Sequence, residues 1–244
     1  MALAEREPEL RVVALADRFD VSSMTIRRDL QALERQGKLT RVHGGAVLTD
    51  RAIEPPATRA QDRRAEKDAI ARRAAPLVEP GADVFIGAGS TTHALARRLA
   101  DGDGARFSTN CLYIAQTLGA MVQHDIHVFG GAYFRSAGTF VGPETIEAIE
   151  RRRFDLVMIG IDGIDVRYGF LEPMEWQAWL VRTLRRCSDR LAVLADGGKF
   201  ERRSEFRVLS LDEVDLLVTD RRPPEDALTG LERAGVVVTY GDDA

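Results

Sequence analysis

From Asp83 onward, short apolar runs alternate with stretches in which apolar residues recur every three or four positions. The runs predict strands at Val84–Ile86, Ala105–Ser108, Ile126–Phe129, Leu156–Ile161, Leu191–Ala195, Leu216–Thr219 and Val236–Thr239. The periodic stretches predict helices at Thr91–Ala100, Leu112–Met121, Glu144–Arg152, Glu175–Ser188 and Pro224–Ala234. Strands that are apolar throughout need cover on both faces, and the intervening helices supply it. The pattern therefore predicts an α/β domain built on a mainly parallel sheet. Ligands of such sheets bind outside the carboxyl ends of the strands, where Gly87, Asn110, Gly130, Asp162 and Asp196 fall.

The first 45 or so residues follow another rhythm, that of short helices ending in a hairpin-like tail. Val12, Val13, Leu15, Ala16 and Phe19 line one apolar face, and "DVS" makes a turn. Ser22 is placed to cap a helix starting at Ser23, in which Ile26, Leu30 and Leu33 face inward and Gly37 ends the run. Ser23, Met24, Thr25, Arg27 and Arg28 are left on the exposed end and flank, where a recognition helix meets base edges and phosphates. "KLTRVHGGA" reads as a wing carrying Arg41 and His43. A solvated helical hairpin explains the same arginines without DNA. Residues 48–62 hold Pro55–Pro56 and many polar positions, as a linker does; a charged helix over Arg63–Leu77 follows. The expected layout is a small winged helix-turn-helix domain over 1–47, a linker over 48–62 and an effector domain over 63–244.

Charge changes this picture only locally. The chain of 244 residues carries a formal net charge of −4, so it is not an evident polyanion binder as a whole. Residues 1–50 are balanced, with eight Arg/Lys against eight Asp/Glu. Between Ser22 and His43, however, Arg27, Arg28, Arg35, Lys38 and Arg41 face only Asp29 and Glu34. No apolar run is long enough to span a bilayer and no export signal is seen, so a cytoplasmic protein without a membrane partner is expected. Cys111 and Cys187 lack zinc-ligand spacing, and His93, His124 and His127 share no helix face, so no metal and no cofactor are expected.

The candidate chemistry gathers at the predicted strand ends. In "FIGAGSTTHALARRL", Gly89, Ser90, Thr91 and Thr92 sit where a strand hands over to a helix, a turn whose free N–H groups suit a phosphate. Asn110, Gly130, Gly131, the "GIDGID" run with Asp162 and Gly163, Glu175, and Lys199 complete a candidate crevice. Lys199 is one of three lysines in an arginine-rich chain. N–H groups and Lys199 would take a phosphate, Asp162 and Asn110 hydroxyls, as a small anionic polyol requires. Local structure offers competing roles. Asp162 would cap a turn, Asn110 would cap the helix from Leu112, Lys199 would pair with Glu201 or Asp196, and Arg135 would be solvated.

"TIRRDLQALERQGKLTRVHGGAV", Thr25–Val47, resembles the signature of the DeoR family of bacterial transcription regulators. "AEKDAIARRAAPLVEPGADVFIGAGSTT", "STN", "FGG", "GIDGID" and "ADGGKF" continue the likeness in the family's order and spacing. The resemblance implies a winged helix-turn-helix joined to an effector domain related to ribose-5-phosphate isomerase. It implies a repressor that binds double-stranded operator DNA as a dimer or tetramer and is released by a small phosphorylated sugar or related anionic metabolite. It also exposes departures. "MALAERE" supplies only the last turns of the family's first helix, so a less stable DNA-binding domain is expected. Gly87 stands where the family usually carries an aspartate, Gln177 and Val181 where it offers a glutamate and a lysine, and Gly197–Gly198 where it has a more polar pair. The rival reading is a phosphosugar isomerase using Asp162 and Asp165. "VRYGFLEPMEW" lacks the lysine and glycine loop of the isomerase pattern, which argues against it.

Overall fold

The structure is a computed structural model that describes residues 10–19, 21–35, 39–42, 45–48, 62–99, 104–120, 126–135 and 137–241. The chain divides into two compact units, Met1–Glu54 and Pro55–Ala244.

In the smaller unit, helix α1 (Val12–Phe19) precedes helix α2 (Ser23–Arg35). Ser22 caps α2 as its type and place predict: its Oγ accepts the Thr25 amide at 3.1 Å. Val12, Leu15, Ala16, Ile26 and Leu30 are buried. Phe19, expected on the apolar face, is instead 58% exposed at the last position of α1. Strands β1 (Leu10–Arg11), β2 (Leu39–Val42) and β3 (Gly45–Leu48) form a small sheet in the order β1-β3-β2. The antiparallel β2–β3 pair, with Val42 opposite Gly45, is the predicted wing. The short first helix expected before Pro8 lies outside the described residues.

The larger unit opens with helix α3 (Arg64–Ala74), extended by a 3-10 turn over Ala75–Leu77. Strand β4 (Asp83–Ile86), helix α4 (Ser90–Leu99), strand β5 (Arg106–Thr109), helix α5 (Leu112–Gly119) and strand β6 (Ile126–Val128) follow in strict alternation. A hairpin of β7 (Ala132–Phe134) and β8 (Thr139–Val141) interrupts it before helix α6 (Pro143–Glu150) and strand β9 (Phe154–Gly160). Beyond β9 come β10 (Gly163–Asp165), β11 (Gly169–Glu172), helix α7 (Glu175–Arg186) and β12 (Ser188–Leu194). The chain ends in β13 (Phe206–Leu209), β14 (Leu216–Val218), helix α8 (Glu225–Arg233) and β15 (Val237–Thr239).

All seven predicted strands join one parallel sheet, in the order β15-β14-β12-β9-β4-β5-β6. Alternation along each strand sorts the core into two layers. Val84, Ile86, Leu156, Met158, Ala192 and Leu194 pack with Ile70, Leu95, Leu99, Ile114 and Leu118 of α3, α4 and α5. Phe85, Val157, Ile159, Leu191 and Val193 pack on the other side with Ile149, Leu180, Leu184 and Leu231 of α6, α7 and α8. Each such fully buried side chain contributes roughly 1.5–3 kcal/mol.

The strand order places the site. The chain runs outward from β4 through β5 to β6, then returns to β9 beside β4 and runs outward the other way. The β4–β9 boundary is therefore a topological switch point, where two connections leave in opposite directions, the place at which such sheets bind ligands.

Candidate functional site

The turn after β4 and the turn after β9 meet at this boundary. The Gly87 amide donates to the Met158 carbonyl at 2.9 Å, and Gly89 lies against the Gly160 backbone. Gly87 packs closely on the next strand: a Cβ there would lie 3.0 Å from Ile159 Cγ2, a tight contact. Ser90 begins α4, and the Thr92 hydroxyl donates back to the Gly89 carbonyl at 3.1 Å. Thr91 and Thr92 are buried, whereas Gly89 and Ser90 are half-buried.

Asn110 follows β5 and is fully buried, its Nδ2 donating to the Phe140 carbonyl at 2.9 Å. It does not cap α5, whose first amides are preceded by Cys111 with no side-chain cap. Instead its backbone carbonyl accepts the Thr139 hydroxyl and the Phe140 amide, both at 2.8 Å, so the residue fastens the β7–β8 hairpin. Asn110 Oδ1 has no partner. Gly130 and Gly131 are exposed at the start of the hairpin, and the Gly130 carbonyl accepts the Thr145 hydroxyl at 2.7 Å.

Asp162, just past β9, is the electrostatic centre. Its carboxylate accepts from Lys199 Nζ at 3.2 Å, Arg202 Nη1 at 2.8 Å and the Ser204 hydroxyl at 2.6 Å. Burial pushes its pKa up, but the Lys199 charge, the Ser204 hydroxyl and Arg202 outweigh burial and hold it below the usual carboxylate range. Burial draws the Lys199 ammonium down, and the attraction of Asp162 offsets this only in part. Lys199 thus pairs with Asp162, not with Glu201 or Asp196. It rides on the 3-10 turn Gly197–Glu201, capped by the Asp196 carboxylate, which accepts the Gly198 amide at 3.0 Å. Gly163 is buried in β10.

Asp165 does not face Asp162 as a second acid. Its Oδ1 accepts the Arg167 and Tyr168 amides and caps the β10–β11 turn. Glu175 is exposed in the first turn of α7, where Trp176 stacks on Phe134 at 5.3 Å. Trp179 is exposed, Arg135 is solvated, and His93 is half-buried with its Nε2 against the Thr117 hydroxyl at 2.9 Å. Arg202 and Ser204 on Asp162 were not expected from the sequence, and Trp176 Nε1 and Gln177 Oε1 are buried without a partner among the described residues. A separate groove of about 600 Å³ between α3 and α4, lined by arginines, borders none of the predicted ligand residues.

In the smaller unit, Ser23, Met24, Thr25, Arg27 and Arg28 are all exposed along α2 while Ile26 and Leu30 are buried. The Arg41 side chain and the whole of His43 lie outside the described residues, as does His124.

Two family descriptions match the chain: a DeoR-like helix-turn-helix domain over residues 2–52, and a DeoR C terminal sensor domain over residues 62–221. The chain belongs to the DeoR family. Curated relatives span nearly all of it. The glycerol-3-phosphate regulon repressor of Escherichia coli is 33% identical over 91% of this chain and 88% of its own length. The transcriptional regulator GlpR of Haloferax volcanii is 34% identical over 94% and 91%, and the transcriptional repressor AccR of Agrobacterium fabrum 33% over 89% and 86%. Among solved structures, ribose 5-phosphate isomerase A of Methanocaldococcus jannaschii covers 55% of this chain and 53% of its own, at 13% identity and a TM-score of 0.40. This DeoR-family chain is a DNA-binding transcriptional regulator, with curated relatives that include named repressors, and not an enzyme. No helix among its described residues is long and apolar enough to cross a membrane.

Proposed function

We propose that the protein represses transcription from the cytoplasm as a homo-oligomer, a dimer or tetramer, and leaves its operator when a small phosphorylated or otherwise anionic metabolite binds. The reading rests above all on α2. Its buried side is apolar, whereas Ser23, Met24, Thr25, Arg27 and Arg28 form an exposed row, with Met24 69% exposed. A helix docked on a small domain and left bare on that side fits the major groove of double-stranded DNA. Arg27 and Arg28 take phosphates or guanine edges, and Arg41 and His43 on the wing take flanking phosphates. One such module binds weakly, which is the reason for pairing headpieces on two half-sites.

The metabolite site is the crevice at the β4–β9 switch point. Backbone at Gly89, Ser90, Thr91 and Thr92 holds the anionic group together with Lys199; Asn110 and Asp162 take hydroxyls; Gly130, Gly131, Gly163 and Glu175 line the rim. A phosphate competes with Asp162 for Lys199, and the buried free acceptor of Asn110 suits a hydroxyl donor. The relative from Escherichia coli puts glycerol 3-phosphate first among the probes.

A gel shift with DNA from the protein's own promoter region tests the reading. The chain is expected to shift this DNA at low salt, and Arg28→Ala to weaken it. Absence of any shift sinks the proposal. A thermal-shift screen of phosphorylated sugars and sugar acids on the full chain then sorts the metabolite classes.

A further inference from the structure

Arg63 stands at the N-terminus of α3 with φ 50 and ψ 46, the single left-handed residue other than glycine among the described residues. A residue with a Cβ keeps that conformation only where its surroundings impose it. Its side chain makes a long-range contact. Arg63 Nη1 donates to Asp196 Oδ1 at 3.0 Å, and the Asp196 side chain is only 8% exposed.

Asp196 serves two structures at once. The same oxygen that holds Arg63 accepts the Gly198 amide, and its backbone carbonyl accepts the Lys199 amide at 2.9 Å. Lys199 in turn reaches Asp162. Two charged contacts, Lys199–Asp162 and Arg63–Asp196, are therefore joined through the short turn that carries Lys199, and the path runs from the proposed metabolite site to the residue where the sensor domain takes over from the linker. Gly198 makes the contact possible. A Cβ there would fall within 2.5 Å of Arg63 Nη1 and 2.7 Å of its Cζ, so the guanidinium lies flat on bare backbone.

We propose that Arg63 is a latch: the state of Lys199 is passed through Asp196 to Arg63, whose backbone switches between the held left-handed form and an ordinary helical or extended one. The proposal rests on the reading of Lys199 as the cation of the metabolite site. A change of φ and ψ at one residue re-aims the chain preceding it, which is how a hinge converts a small shift into a large one. Coupling of this kind needs an element with two arrangements that both ends bias, and Arg63 supplies it. A metabolite that draws Lys199 from Asp162 disturbs the turn that Asp196 caps and loosens Asp196 on Arg63.

Amide hydrogen exchange on the full chain, without DNA or metabolite, tests the latch in both directions. Arg63→Ala is expected to speed exchange at Gly198 and Lys199 by about fivefold or more, the lower end of ordinary coupling between sites. Lys199→Gln is expected to speed exchange at the Lys67 amide, which donates to the Arg63 carbonyl at 3.1 Å, by a similar factor. The double variant should add little to either single one, and Arg63→Lys should recover part of the loss. Gly198→Ala, which ejects the guanidinium but keeps both charges, should reproduce Arg63→Ala. Changes confined to the substituted element, with Lys67 unmoved by Lys199→Gln, overturn the latch. Inorganic phosphate added to the unsubstituted chain separates this from the site assignment. Reciprocal effects without any response to phosphate uphold the latch and reject Lys199 as the anion's partner.

Discussion

Asp162 gathers an ammonium, a guanidinium and a hydroxyl on one carboxylate that is only 14% exposed. Its folded pKa is held below the ordinary value, so the unfolded chain binds its proton first as pH falls. The stability it contributes is thus complete above the ordinary carboxylate pKa and lost as pH drops through the depressed folded value. Asp162→Asn is expected to flatten that acid limb in a plot of Tm against pH, and at neutral pH to cost about 3–5 kcal/mol because Lys199 is left buried without its partner. An unchanged acid limb would contradict the assignment. Residue types and spacing made Asp162, Lys199 and Asn110 legible as candidates. Their pairing was not, because Asp162 meets Lys199 and Ser204 across 37 and 42 positions of chain. Nothing local marks Arg63 as the partner of Asp196, 133 positions away. The sequence offered Asp162 as the turn cap of "GIDGID", whereas Asp165 takes that role. Only the β10–β11 turn distinguishes them, by giving Asp165 two amides to cap.

At the scale of elements, two contacts set what the strands and helices can tolerate. Gly87→Ala pushes a methyl toward Ile159 across the β4–β9 pair and is expected to cost about 1–3 kcal/mol in denaturant melts. Ile159→Val in the same chain should recover part of it; equal stability of Gly87→Ala and the parent would refute the packing account. A side chain at 87, such as the aspartate that family resemblance leads one to expect, would need Ile159 to give by a few tenths of an ångström. Ser22→Ala removes the cap of α2 and should cost about 1 kcal/mol. That loss would appear as weaker DNA binding with no change at the metabolite site. All seven sheet strands were legible because parallel strands buried on both faces are apolar runs without interruption. The β7–β8 hairpin and the β10-β11-β13 sheet were not, since strands of three or four residues are too short to set up a periodic pattern. Phe19 shows the opposite failure: a helical apolar pattern marks a face but not what covers its last turn.

For the whole molecule, the chain joins a headpiece of balanced charge to a sensor domain whose sheet has its switch point between β4 and β9. Family motifs carried this division in the sequence; the order of the strands, and with it the switch point between β4 and β9, came only from the packed sheet. A headpiece with no excess of positive charge must draw its affinity from a few well-placed cations, so binding should depend strongly on Arg27 and Arg28. The most direct test is fluorescence anisotropy of a fragment from the protein's own promoter, titrated with the full chain across a salt series. The account predicts binding at low salt that weakens linearly in a log–log plot. Arg28→Ala should reduce affinity by about 1–3 kcal/mol if it reads a base, or lower the salt slope by about one if it holds a phosphate. No binding at low salt, or an Arg28→Ala chain that binds as the parent does with the same slope, would contradict it.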